Sequence, residues 1–319
     1  MTIGGQAGVR VRLAGVAGAI SVLSLLAAAV ALPPGPSVPV SCGHGGGNGG
    51  SGGGKGQGYS HGCGGATAAP GYFALAGTGA VAPMGSAGGH GDVGAMQLAS
   101  AVVGMATTPD GAGYWLAAGD GAVFAFGDAR TLGGAGGIVP RAPVAAIAAT
   151  PDGGGYWLAA EDGRVLAFGD APDLGRAAPL PAGASVVALA PTPSGRGYWV
   201  VASDGTVAPA GDARPLGSPA SLHLSSPVVG AAVDPDGDGY WLATAGGGVF
   251  AFGRARYHGS LAGQRLASPV TAIATAVTGD GYWLAEADGT LEPFGSAEGE
   301  TGIPARAPDG APVTLATVL

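Results

Sequence analysis

From about residue 70 onward the chain alternates short apolar runs with clusters of Gly, Pro, Asp and Ser. One stretch shows the pattern at its clearest. Pro143-Val-Ala-Ala-Ile-Ala-Ala-Thr150 is an apolar, strand-like run, and Pro151-Asp152-Gly153-Gly154 has turn chemistry. Gly155-Tyr156-Trp157-Leu158-Ala159 predicts a second strand, Asp162-Gly163 a hairpin turn, and Arg164-Val165-Leu166-Ala167-Phe168 a third strand. The remainder, Gly169 through Ala184, predicts a short fourth strand at best. These elements form an antiparallel sheet too small to bury both of its faces alone.

The same pattern recurs at a fixed interval. Tyr114-Trp115, Tyr156-Trp157, Tyr198-Trp199, Tyr240-Trp241 and Tyr282-Trp283 are spaced 42 residues apart, and Tyr72-Phe73 extends the series one period backward. Phe126, Phe168, Phe252 and Phe294 share a second register, and Asp120, Asp162, Asp204 and Asp288, each followed by Gly, share a third. A period of this length marks a repeat array, and four short antiparallel strands per unit is one blade of a β-propeller. The prediction is an all-β, six-bladed β-propeller of 42-residue repeats over residues 68–319. The first unit lacks its own opening strand, because the residues one period before Ala101-Val102-Val103 are Tyr59–His61 in a glycine-rich stretch. Pro312-Val-Thr-Leu-Ala-Thr-Val-Leu319 matches the opening strands that begin Pro227-Val228 and Pro269-Val270, after a one-residue insertion. It is expected to close the first blade and so remove the free sheet edge. Successive strand residues face opposite ways, so each Tyr and Trp should enter different inter-blade spaces. Phe73, Trp115, Trp157, Trp199, Trp241 and Trp283 are therefore expected to form the repeat core; the competing reading is a ring of sugar-stacking platforms.

The N-terminus differs in kind. Arg10 and Arg12 precede an uncharged run from Leu13 to Leu32, followed by three prolines at 33, 34 and 36. Ala29-Val30-Ala31 offers small residues at the −3 and −1 positions of a cleavage site, so residues 1–31 read as a secretory signal. The run is also long enough to span a bilayer, which leaves an uncleaved anchor as an alternative. Lipidation at Cys42 is a third reading, with Pro39 where a lipobox wants a branched aliphatic residue. Residues 32–67 form a Pro/Gly-rich linker, too poor in apolar groups to offset the entropy of ordering it. It holds both cysteines. Cys42 and Cys63 pair most simply as a disulfide in an oxidising compartment. With His44 and His61 the same residues also match the donor set of a tetrahedral zinc site. Matches to G-x-S-x-G within this segment carry no weight, since no strand or helix is predicted to flank them.

Composition then narrows the function classes. Of 319 residues 66 are Gly and 25 are Pro, which excludes a helical bundle. There are 13 basic and 21 acidic residues, a formal charge of −8. No basic face for nucleic acid is available. Loss of residues 1–31 would remove two Arg and no acid, taking −8 to −10. Asp234-Pro-Asp236-Gly-Asp238-Gly239 opens like a calcium loop, but Ala245 stands where a bidentate Glu is needed, so a turn is the simpler reading. Asp128, Asp170 and Asp212 read as turn formers, and the column breaks at Arg254 and Ser296. Ser86, His90 and Asp92 lie within seven residues in one glycine-rich connection, whereas a catalytic triad is assembled by geometry. His223 and His258 stand outside the recurring columns and read as surface residues. No cofactor signature is present.

The unit P-V-x-x-x-A-x-x-P-D-G-x-G-Y-W-L-A-x-x-D-G-x-V-x-A-F-G-D-A resembles repeats of exported actinobacterial proteins, often found beside cell-wall-active or hydrolytic domains. Ala232-Val233-Asp234-Pro235-Asp236-Gly237 also resembles an NHL-type propeller repeat, though the Asn-x-Arg segment usual after the second strand is missing. The resemblance covers residues 71–319 and implies a propeller in an extracellular or envelope setting. The RNA binding of some NHL proteins is opposed by the acidic charge.

The segments entering each first strand vary most, and with the second-to-third-strand hairpins they should share one face. Gln97, Arg141, His223, Gln264, Arg265 and Arg306 are the candidate ligand-binding residues there. The expected function is an exported, monomeric, non-catalytic binding or scaffolding module for a cell-wall glycan or protein, touching membrane only through an uncleaved N-terminal segment. The alternative is a propeller hydrolase or lyase with its site at the central channel, for which convergent buried carboxylates or histidines would speak.

Overall fold

A computed structural model describes residues 70–136, 142–175, 179–307 and 314–318. The predicted signal and linker, with Cys42, His44, His61 and Cys63, lie outside the described residues, as does Arg141. The described chain is all-β, with two short 3-10 turns at Ala220–Leu222 and Ser296–Gly299. The first sheet contains β1 (Gly71–Leu75) and β2 (Val81–Gly85). The second is β3 (Val102–Thr107), β4 (Gly113–Ala118) and β5 (Val123–Gly127); the third is β6 (Val144–Ala149), β7 (Gly155–Ala160) and β8 (Val165–Gly169). The fourth is β9 (Val186–Pro191), β10 (Gly197–Ala202) and β11 (Val207–Gly211); the fifth is β12 (Val228–Val233), β13 (Gly239–Thr244) and β14 (Val249–Gly253). β15 (Val270–Thr275), β16 (Gly281–Glu286) and β17 (Leu291–Gly295) form the sixth. β18 (Thr314–Val318) returns to the first sheet and pairs antiparallel with β1, Gly71 opposite Val318 and Leu75 opposite Thr314. The six three-stranded antiparallel sheets are arranged in the manner of a six-bladed propeller.

The ladder registers explain the aromatic lattice. Trp115 sits between Ala106 and Ala125, Trp157 between Ala148 and Ala167, and Trp241 between Ala232 and Ala251. Proline replaces one alanine beside Trp199 and Trp283 (Pro209, Pro293), and Phe73 lies between Pro83 and Ala316. A large ring between two small cross-strand neighbours stands clear of its own sheet and fills the space to the next. Trp115 packs on Tyr156, Trp157 on Tyr198, Trp199 on Tyr240 and Trp241 on Tyr282, with centroids 5.5–5.6 Å apart. Phe73 packs on Tyr114 at 4.9 Å and Trp283 on Tyr72 at 6.1 Å. The Tyr and Trp of each pair thus serve opposite neighbours. All the tryptophans are buried, so no ring face is free for a sugar. The first strands lie side by side, each against that of the next sheet, and β18 lies against both β15 and β3.

The predicted fourth strand is absent: each described sheet stops at three. The segment after the third strand spends its backbone acceptors on side chains instead. Trp115 Nε1 donates to Arg130 O at 2.7 Å, and the Tyr156 hydroxyl of the next unit donates to Gly133 O. Trp157 with Pro172, Trp199 with Arg214 and Trp241 with Arg256 repeat the first bond; Tyr198 with Gly175 and Tyr240 with Gly217 repeat the second. A carbonyl that accepts from a ring donor in this way needs no ladder partner.

Candidate functional site

The entry segments and Asp-Gly hairpins do share one face, joined by a running backbone stitch. Gly119 N–H donates to Ala101 O of its own entry segment, and Gly119 O accepts from Val144 N–H of the next. Glu161, Ser203 and Ala245 repeat both bonds in their units. Asp120, Asp204 and Asp288 cap the hairpins by accepting from the backbone N–H two residues on, at 2.9–3.0 Å. Backbone bonds and aspartate caps hold the rim together beneath its exposed side chains.

Gln97, His223, Gln264 and Arg265 are all exposed on this rim. His223 holds a left-handed backbone, φ 47°, which turns the chain after Ala220–Leu222. Arg306 is also exposed, but its Nε donates to Asp288 O at 2.9 Å and its guanidinium lies 3.6 Å from the Asp288 carboxylate, which ties it to the adjacent hairpin. Sequence reasoning missed the apolar residues beside these. Met96 and Leu222, at 56% and 61% exposure, are among the most exposed large hydrophobic residues described, and both occupy one repeat position with Leu180, Gln264 and Arg306. The 42-residue register itself could have revealed that column.

The opposite face is formed by the Pro-Asp-Gly turns. Thr108 Oγ1 donates to Asp110 Oδ1, and Thr150 Oγ1 to Asp152 Oδ1, while each threonine oxygen also accepts the N–H that opens the next strand, Gly113 or Gly155. The Ala112 N–H and then the Thr108 hydroxyl hold Asp110 below the usual carboxylate range; for Asp152 the Thr150 hydroxyl leads and the Gly154 N–H follows. A Cβ on Gly153, at φ +70°, would meet Pro109 of the preceding unit at 2.7 Å, and Gly195 and Gly237 meet Pro151 and Pro193 in the same way. Two clefts of about 400 and 460 Å³ open between turns, one lined by Asp152, Asp170 and Arg196, the other by Asp110, Asp128 and Arg130. Pro70 lies on this face, since its carbonyl accepts from Ser86 N–H as Ala112 O accepts from Asp128 N–H.

None of the first strands carries a charged residue or histidine. Among the described residues Glu286 is the one buried carboxylate, and it accepts from Ser268 N–H and Oγ at 3.3 Å. Ser86, His90 and Asp92 are not brought together: His90 Nε2 faces Gly111 O at 3.3 Å, and Asp92 accepts from Gly94 N–H. Asp234 accepts from Asp236 N–H in a turn, and burial raises its carboxyl. Among the described residues no cluster of three or more His, Cys, Asp and Glu is placed to hold a metal ion.

His258 is corrected. It is not a surface residue outside the repeat: its side chain is 17% exposed, packs edge-on to Tyr282 at 6.0 Å, and lies 3.2 Å from Asp280 Oδ1. It occupies the repeat position of Leu132, Leu174 and Leu216, as does His90. Periodicity tied to aromatics hid this column, because its usual occupant is leucine.

Comparison with protein-family models finds no match to this chain, and a search of curated proteins finds no relative.

Proposed function

We propose that the six sheets are the blades of a closed propeller completed by β18, and that the chain is an exported, non-catalytic binding or scaffolding module at the cell surface or cell wall. The observation that carries the binding reading is the polarity of the two faces. The chain arrives at Pro70 on the Pro-Asp-Gly side, whereas Met96, Gln97, Leu222, His223, Gln264 and Arg265 stand exposed on the opposite, stitched rim. A module held through its N-terminal segment presents that rim away from its attachment. Exposed apolar groups flanked by polar and cationic side chains on a rigid scaffold suit a protein or glycan surface. First strands without titratable residues weigh against a channel-centred hydrolase or lyase.

The test uses the full-length protein in a pull-down from cell envelopes and in binding to isolated cell-wall glycan. The expected result is binding by the parent protein and its loss in the combined variant Met96→Asp, Leu222→Asp, His223→Ala, Arg265→Ala, which keeps the parent's circular dichroism. Unchanged binding by that variant, or hydrolysis of the glycan by the parent protein, would overturn the proposal.

A further inference from the structure

The aromatic hand-over between neighbouring sheets uses backbone acceptors at every described junction but one. At the junction of the sixth sheet with the first, a side chain takes over. Trp283 Nε1 donates to Glu300 Oε2 at 2.8 Å, the Tyr72 hydroxyl donates to the same oxygen at 2.5 Å, and Val277 N–H donates to Oε1 at 2.7 Å. Glu300 follows its tyrosine by 18 residues, the position held by His90, Leu132, Leu174, Leu216 and His258 in the preceding units. The residue after it is Thr301, where the other units carry the glycine whose carbonyl receives the next tyrosine. One carboxylate therefore replaces two carbonyls and joins β1, β16 and the β15–β16 turn, three segments drawn from the two ends of the array.

We propose that this junction is a pH-sensitive clasp, held while Glu300 is ionised and released when it is protonated, whereas the other junctions keep their hold. An ionised carboxylate only accepts, and here three donors converge on it. Protonation removes the charge assistance and adds a hydrogen into a site that offers donors. Arg130 O, Pro172 O and Arg214 O cannot be protonated in this range, so their junctions have no equivalent sensitivity.

The other titratable groups on the elements around Glu300 are Tyr72 on β1, Tyr282 and Glu286 on β16, Glu292 on β17, Glu298 in the adjacent 3-10 turn and Asp280 at the end of the β15–β16 turn. Burial, reinforced by Glu300, raises the Tyr72 phenol, so it remains a donor. Asp280 faces His258. The inference rests on these contacts alone and is independent of whether the rim binds a partner.

The experiment is hydrogen exchange by mass spectrometry on the full chain at about pH 7 and about pH 3, more than a unit below the ordinary glutamate value, with protection corrected for intrinsic rate. Residues 71–75 and 314–318 are expected to lose protection by about tenfold or more in acid relative to the second to fifth sheets, the factor expected for one charge-assisted bond. Glu300→Gln retains an acceptor of the same size, and its junction should show one protection level at both pH values. Glu300→Leu, which restores the apolar occupant of other units but orphans three donors, should be loose at both. Parallel loss of protection in all sheets, or the parent pH dependence retained in Glu300→Gln, would overturn the proposal.

Discussion

Deleting residues 312–319 removes β18 and discriminates between a closed ring and an open stack. β18 pairs over its whole length with β1, and Leu315 and Ala316 are buried there, Ala316 opposite Phe73. Burying Leu315 contributes about 2 kcal/mol. The antiparallel pairing contributes about five ladder bonds at about 1 kcal/mol each net. With the contacts of β18 against β15 and β3, the loss is about 7–10 kcal/mol, comparable with the whole stability of a typical domain, about 5–15 kcal/mol. In a closed ring that loss reaches both ends of the array, so the truncated protein is expected to be unfolded or to unfold without cooperativity. A linear stack would merely fray at one end, because each repeat there contacts only its neighbours. Guanidinium unfolding followed by circular dichroism reads both midpoint and slope. A truncated chain matching the full chain in both would refute the ring. Leu315→Ala is the milder form, expected to cost about 2–5 kcal/mol.

Trp199→Ala should cost about 3–5 kcal/mol by chemical denaturation, whereas Trp199→Phe, which keeps most of the ring but orphans Arg214 O, should cost less than half of that; equal losses would remove the packing argument. Gly153→Ala places a Cβ in left-handed backbone against Pro109 and should destabilise by more than the roughly 1–2 kcal/mol of the backbone alone, again by denaturation. Burial pushes Tyr156, Tyr198, Tyr240 and Tyr282 up to about 12. The folded state therefore holds protons that the unfolded chain loses near pH 10, and stability should fall from about pH 10 to about 12. Tyr198→Phe should flatten that fall, as monitored by tyrosinate absorbance and circular dichroism. Asp110 and Asp152 act in the opposite limb: their lowered values give stability that is present above about pH 4 and lost as pH falls through the folded values. Asp110→Asn with Asp152→Asn should flatten the acid limb of a pH melt.

The architecture was legible because each column of the repeat performs one task. A tryptophan between two alanines, a Pro-Asp-Gly turn and an Asp-Gly hairpin are local instructions, and each predicts its own strand end. The missing fourth strand was not local. Residues 128–136 contain no breaker that the rest of the unit lacks; whether their carbonyls join a ladder depends on Trp115 Nε1 and the Tyr156 hydroxyl, which arrive from other strands. The role of Pro109 was hidden for the same reason. Its partner, Gly153, belongs to the next unit, and a motif read within one repeat shows the turn but not the contact.

The site follows a different logic, because it lies in departures from the repeat. The rim was expected from the variability of its entry segments, and Gln97, Gln264 and Arg265 are exposed there, yet its apolar component required aligning Met96 with Leu222 across three periods. Arg306 looked equivalent to Arg265 until Asp288 claimed it. Glu300 was invisible by either route: it replaces a leucine in sequence and two backbone carbonyls in space, and its significance comes from standing where the end of the chain meets its beginning. A repeat can use carbonyls at every internal junction, because each unit positions the next in the same way. At the junction of last with first the segment still reaches an entry strand, β18, at the repeat interval, but Thr301 stands in the glycine column. A side chain with two acceptor oxygens can reach donors that the displaced backbone does not meet. That substitution puts a side-chain carboxylate at the last junction where the carbonyl junctions have only backbone.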